Sequence, residues 1–345
     1  MKSPRYVSSI ALALSFAFLA GPPRSQAWDR GEVDTFATLP AGTAHPEGIT
    51  IDPQKGDVYV SDFDVSAGSG QVGNVVVFDK KGRFLRKLDV RGSSALLLGL
   101  AFHPQTHALL VIDYASHRVL NVDPATGAST LFTDLGAGAG PNALAFDAAG
   151  NVYISDSSQG IIWRTAASGG SAAAWISSPL LTTTGVPPFG ANGLAFNKTG
   201  TALFVANTGN DSVVKIPLPN GPGGTPGAPV VFVNSINGAD GLIIDAQDNL
   251  WVAANQADEI VVVNPNGKAI AKLGDFDGID RRGAPRGLLF PASLVFGPDD
   301  TLYVTNLALD LRLFGLPPTV DSEWAAAVTR HTVSRIRLRH DHDDR

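Results

Sequence analysis

Along most of this chain, short runs of five to seven β-type residues alternate with turns rich in Gly, Asp, Asn and Pro, and amphipathic helical periodicity is almost absent. The runs recur as a register. "EGITID" at Glu47 is followed by "LGLAFH" from Leu98, "NALAFD" from Asn142, "NGLAFN" from Asn192, "DGLIID" from Asp240 and "ASLVFG" from Ala292. The first residues of these six copies lie 51, 44, 50, 48 and 52 residues apart, the period of a four-stranded propeller blade. Each copy is followed by a second run ("VYVSD", "LLVID", "VYISD", "LFVAN", "LWVAAN", "LYVTN") and then a third, the last being "TVSRIRL". Turn residues such as Pro53-Gln54-Lys55-Gly56 separate the first two runs and suit hairpins. Fourth runs follow in five copies, but not in the sixth. An unassigned β-type segment, "EVDTFATLP", precedes the first copy. The pattern therefore predicts an all-β fold, a six-bladed β-propeller with four-stranded blades, whose last blade is closed by the N-terminal strand so that no sheet edge stays open.

Two segments depart from the repeat. Leu307 to Arg330 is an insertion between "LYVTN" and "TVSRIRL", with a predicted helix at "SEWAAAVTR" capped by Ser322. It leaves from the face where the first strands begin, so a lid over that face and a loop packed on the rim both remain open. The C-terminal "RHDHDDR" reads as a charged, solvated tail. The expected organisation is a signal peptide over 1–27, a propeller over 28–339 with 307–330 as a possible lid, and a tail over 340–345.

The signal peptide rests on Lys2 and Arg5 ahead of an apolar run near Ile10 to Ala20, and on the small residues of Ser25-Gln26-Ala27 as a cleavage site. The run is too short to span a bilayer comfortably. Export to the periplasm or the extracellular space is expected, with no membrane association after cleavage. The absence of cysteine excludes disulfides, thiolate metal sites and cysteine nucleophiles. The net charge of −6, more negative once Lys2, Arg5 and Arg24 are removed, and the lack of a basic stripe argue against nucleic acid as a partner. A small-molecule substrate is expected instead; the sequence leaves the oligomeric state open.

The first residue of each copy opens the strand that lines a propeller's central channel, so Glu47, Leu98, Asn142, Asn192, Asp240 and Ala292 should converge at one mouth. Four are oxygen donors. Asn and Asp before Gly also make tight turns, which would account for Asn192 and Asp240. Glu47 does not fit that explanation, because glutamate is a poor turn former and a carboxylate in a crowded channel is costly without a partner. Glu47, Asn142, Asn192 and Asp240 are thus the candidate ligands of a divalent cation, most naturally calcium, with magnesium or manganese possible. Zinc is disfavoured, since neither His nor Cys stands in the column. The ends of the second strands, Asp62, Asp113, Asp156, Asn207, Asn255 and Asn306, should lie on the same face, as substrate contacts or as caps of their own turns. His45, the histidine nearest the expected mouth, is a candidate substrate contact or proton shuttle, or else a solvated rim residue; His103 and His107 fall in a hairpin at the opposite face.

At these residues the chain resembles the senescence marker protein/gluconolactonase (regucalcin-like) family, related to diisopropyl fluorophosphatase and the paraoxonases. "PEG" with Glu47, "PNALAFD" with Asn142, "ANGLAF" with Asn192 and "ADGLIID" with Asp240 are similar, in order, to that family's Glu, two Asn and Asp ligands, with the second blade skipped. The resemblance implies a catalytic divalent cation and hydrolysis of a small lactone or ester, by a metal-polarised carbonyl and attack of a metal-activated water or of Asp240. Asp240 is the catalytic candidate, as base, nucleophile or ligand only. Gly140-Pro141 stands where the sugar-lactonase pattern has an arginine, and Leu98 where the paraoxonases have a histidine, so the resemblance stops short of a sugar lactone or a paraoxonase-type assignment. The other class of function is a non-catalytic, NHL-like propeller that binds a protein or glycan and holds calcium for rigidity.

Overall fold

A computed structural model describes residues 28–68 and 70–338. The expected signal peptide and the charged tail lie outside the described residues.

Six four-stranded antiparallel sheets follow one another along the chain. The first contains His45–Ile51, Val58–Phe63, Asn74–Phe78 and Phe84–Asp89 in that order, and the next four repeat the plan. The sixth is built from both ends of the chain. Pro291–Gly297, Thr301–Asn306 and Thr332–Arg337 supply three strands, and Val33–Thr38 pairs with the last of them, Val33 opposite Ile336 and Thr38 opposite Thr332. The closing strand is the one anticipated from "EVDTFATLP".

Second strands such as Val58–Phe63 and Leu109–Asp113 are buried along their whole length, because each is covered by the adjacent blades. The outermost strand of the first blade, Phe84–Asp89, is half polar and mostly exposed. Blade-to-blade packing forms a series of apolar clusters around the ring, for example Tyr59, Val75, Leu97 and Leu109 between the first and second blades.

Two additions sit outside the blades. A two-stranded ribbon, Phe276–Ile279 with Pro285–Gly287, follows the fifth blade. The insertion holds a 3-10 turn, Leu311–Phe314, and a short helix, Ser322–Ala327. The helix is shorter than expected and Ser322 is not its cap. Asp321 holds the N-cap position without a capping hydrogen bond, while Ser322 Oγ accepts the Thr319 amide at 2.9 Å. Among the described residues, no helix is long and apolar enough to cross a membrane.

Candidate metal centre

Every inner strand carries the same irregularity at the same place. The pairing register slips between Pro46 and Ile49, Leu97 and Leu100, Pro141 and Leu144, Ala191 and Leu194, Ala239 and Leu242, and Pro291 and Leu294. Each slip contains one of the six column residues. A bulge bends the strand and re-aims a side chain that regular pleating would send toward a sheet face. Here it turns Glu47, Asn142, Asn192 and Asp240 to a common cavity on the channel axis.

The residue after each column position must be small. A Cβ on Gly48 would lie 2.6 Å from the Leu98 carbonyl oxygen, one on Gly99 2.6 Å from that of Asn142, and one on Gly241 2.5 Å from that of Ala292. In each case the backbone of the next blade fills the space. The glycines therefore set the close ring spacing that brings four blades' side chains within reach of one point.

Hydroxyls on three second strands tie the bulges down. Gly48 N–H donates to Ser61 Oγ (2.8 Å), which donates to the Leu98 carbonyl of the next blade (2.6 Å). Ser293 N–H donates to Thr305 Oγ1 (2.9 Å), which donates to the Glu47 carbonyl (2.7 Å). Ala143 N–H donates to Ser155 Oγ (3.0 Å). Sequence reading passed over these three positions; their one signal was a hydroxyl residue just before the terminal Asp or Asn of "VYVSD", "VYISD" and "LYVTN".

Glu47, Asn142, Asn192, Asp240 and Asn255 form the polar floor of a cavity of about 30 Å³. Its walls are apolar. Phe63 and Leu98 come from the first two blades, Pro187 and Phe189 from the loop before the fourth, Phe290 from the entry to the sixth, and Leu307, Leu309 and Leu311 from the insertion. The insertion thus covers the floor. Its underside shares one core cluster with Phe63, Leu98 and Phe290, and Phe314 stacks on Phe63 with ring centroids 6.1 Å apart. Phe290, at the wall, has a left-handed backbone (φ 46°), costly for a bulky residue, and its amide is held by Asp258 Oδ1 at 2.7 Å.

The electrostatics of the floor are those of an uncompensated anion pair. Asn255 Nδ2 donates to Asp240 Oδ2 (2.9 Å) and Asn192 Nδ2 donates to Thr208 Oγ1 (3.0 Å). Asp240 Oδ1 and Glu47 Oε2 are buried without any hydrogen-bond partner. Burial pushes Asp240 up to about 7 against the hydrogen bonds of Asn255 and Asn192. Burial raises Glu47 well above the usual carboxylate range, and the Asp240 carboxylate adds to the effect. No three His, Cys, Asp or Glu side chains converge among the described residues, so the donors offered to a cation are two carboxylates and the amide oxygens beside them. Such a set fits a hard, oxygen-seeking divalent cation, which would satisfy both orphaned oxygens and cancel their charge.

The second-strand ends divide sharply. Asn255 reaches the cavity. Asp62, Asp156, Asn207 and Asn306 do not line it, because local backbone groups take up their side chains. Asp62 accepts the Ala44 amide, and Asp156 accepts those of Gly140, Ser158 and Gln159. Asn207 donates to the Leu180 and Thr182 carbonyls, and Asn306 accepts from Leu289 N–H while donating to Thr332 and Ser334. Asp113 is likewise spent on Ser94 and Arg118. His45 stands beside the floor rather than in it: its Nδ1 lies 2.9 Å from the Leu307 carbonyl and its ring meets that of His331 edge-on at 4.6 Å, so the two histidines bracket the insertion's ends. Burial lowers His45 and takes His331 down to about 3, with His45 opposing charge on it as well. His103 is wholly buried and bonded to the Gly150 carbonyl, a structural role.

Residues 181–308 match the family described as the SMP-30/Gluconolactonase/LRE-like region. No curated protein sequence matches the chain. Among solved structures, a gluconolactonase from Xanthomonas campestris is similar over 90% of this chain and 90% of its own, at 16% identity and a TM-score of 0.63. A calcium-binding protein, regucalcin, from Agrobacterium tumefaciens is similar over 85% and 90%, at 19% and 0.61. A luciferin-regenerating enzyme is similar over 89% and 95%, at 16% and 0.63. At these identities the structural likeness speaks to the fold. The chain is a six-bladed β-propeller whose residues 181–308 match the SMP-30/Gluconolactonase/LRE-like region.

Proposed function

We propose that this protein is an exported, divalent-metal-dependent hydrolase of a small lactone or ester, with calcium the first candidate for the cation. One observation carries the reading: two carboxylates from different blades are buried together in one cavity with an oxygen of each lacking any partner. A fold does not tolerate that arrangement for stability alone. The lactonase reaction is supported by the family match over 181–308 and by the gluconolactonase among the similar structures.

Glu47, Asn142, Asn192 and Asp240 would hold the cation. When bound, it polarises a carbonyl oxygen and stabilises the negative charge that develops there. The chain's own part is orientation and proton handling. Asn255 fixes Asp240 through Oδ2, which leaves Oδ1 directed at the cavity. Of the two Asp240 oxygens one would meet the cation, and the other accepts the proton of an attacking water or attacks the carbonyl carbon, the alkoxide of the ester or lactone leaving. Leu309 and Leu311 exclude bulk water above the reacting atoms. The cavity holds little more than an ion or a water, so a substrate gains room when the insertion moves aside, as a lid does.

That closure also favours a second reading, in which the cation only rigidifies a non-catalytic propeller. Calcium titration of the mature protein and of Asp240→Ala by calorimetry, followed by assays on lactones and aryl esters, separates the two. Binding and turnover that vanish together in the variant support the hydrolase. Binding without turnover across the panel supports the rigid propeller, and no binding of calcium, magnesium or manganese by the wild type overturns the site.

A further inference from the structure

The walls of the cavity identify the part of the substrate that does not react. We infer that this site takes esters or lactones with an unbranched alkyl or aryl group and rejects polyhydroxylated ones; the inference deepens the hydrolase reading and rests on it.

The lining separates into two zones. All five polar residues lie on the floor, where the carbonyl must go. Above them stand Phe63, Leu98, Phe189, Phe290, Leu309 and Leu311, and among the described residues no Ser, Thr, Tyr, His, Lys or Arg side chain lines the cavity. A sugar-like substrate brings several hydroxyls into this upper zone, each losing its water without finding a partner. The polar side chains nearest by sequence cannot rotate in to help. Asp62, Asp156, Asn207 and Asn306 are fully buried outside this lining: Asp156 and Asn207 are held by backbone groups, Asn306 by the Leu289 amide and the hydroxyls of Thr332 and Ser334, and Asp62 by the Ala44 amide through one oxygen. An alkyl chain meets the opposite situation, since it replaces water or the lid's own leucines against aromatic and aliphatic surface.

Two features extend the apolar zone beyond the closed volume. Phe189 is only partly buried and meets Tyr114 edge-on at 6.4 Å, and Phe314 on the insertion is 40% exposed beside Phe63. When Leu309 and Leu311 withdraw, these rings continue the wall toward solvent, so a chain longer than the closed cavity still finds apolar contact.

The test is a series of γ-lactones whose side chain grows from methyl to hexyl, compared with a polyhydroxylated lactone, in saturating calcium. A parallel calorimetric series uses the corresponding γ-lactams, which resist hydrolysis. The expected result is kcat/KM rising roughly fourfold per methylene, little or no turnover of the polyhydroxylated lactone, and lactam affinity rising along the same series. In Phe189→Asn, whose side chain is partly exposed and whose folding is checked by its thermal transition, both slopes flatten. Turnover of the polyhydroxylated lactone equal to or above that of the alkyl series overturns the inference while the hydrolase stands. Lactam binding that strengthens with chain length in the absence of any turnover removes the hydrolase and keeps the apolar site. Lactam affinity independent of chain length, with or without turnover, overturns the inference.

Discussion

Neutralising Asp240 should stabilise the cation-free protein even as it abolishes cation binding. Folding carries the Asp240 carboxyl from 3.8 to about 7 because it is fully buried, and that change corresponds to about 4 kcal/mol. The sign follows from proton counting. Between these two values the folded state binds more protons than the unfolded one, so stability is complete below about pH 4, declines as the pH rises, and levels off above about pH 7. Glu47, raised for the same reason, adds a loss of the same sign. In chelator at pH 8, wild type therefore carries nearly the whole penalty. Asp240→Asn preserves the shape, keeps an oxygen to accept from Asn255 Nδ2, and turns an amide toward the oxygens of the floor. Urea unfolding of both proteins in chelator, at pH 5 and pH 8, should show the variant more stable at pH 8, by up to about 4 kcal/mol, with the difference shrinking at pH 5. Adding calcium to one hundred times its Kd should then raise wild type by about 2.7 kcal/mol and leave the variant unchanged. A variant less stable than wild type at pH 8 in chelator, together with a flat wild-type profile from pH 4 to 8, would refute the picture of a desolvated, uncompensated carboxylate pair.

Thr305→Val removes both hydroxyl bonds of the sixth-blade bulge, leaving the Ser293 amide and Glu47 carbonyl unpaired; a loss of about 2 to 4 kcal/mol in urea unfolding, with weaker calcium binding by calorimetry, is expected. Gly241→Ala places a Cβ 2.5 Å from the Ala292 carbonyl oxygen and should cost at least about 2 kcal/mol, read as a drop in the urea midpoint. Burial and the neighbouring Asp321 carboxyl raise Asp258 to about 8, and burial raises Asp321 as well, at the base of the insertion's helix. Docking of the helix Ser322–Ala327 should therefore weaken as the pH rises toward 8, giving faster amide exchange over 319–330, and Asp321→Asn should remove that pH dependence. If 1–27 is a signal peptide, the exported protein begins at Trp28, which N-terminal sequencing reads directly.

The repeat carried the fold because each blade is a local object: hairpin-linked strands whose alternation and turn residues are read within 50 positions. Even closure was legible, since a surplus strand at one end and a missing one at the other leave a single pairing that removes both edges. The column of Glu47, Asn142, Asn192 and Asp240 was legible for the same reason, because a ring converts a repeat position into a shared point in space. What the chain could not declare was anything set by contacts between blades. The bulges that aim the column residues depend on the next blade's carbonyls pressing on Gly48, Gly99 and Gly241. Whether a second-strand Asp or Asn faces the cavity or its own loop was decided by where the flanking backbone runs, so that Asn255 reaches the floor while Asp62, Asp156, Asn207 and Asn306 do not. The cover over the floor was equally out of reach: the alternating leucines of 307–313 read as a strand face, and Leu309 and Leu311 become a wall only against Phe63, Leu98 and Phe290, residues far away along the chain. Periodicity determined the ring and its oxygen donors; packing between distant segments decided which side chains face the cavity and what covers it.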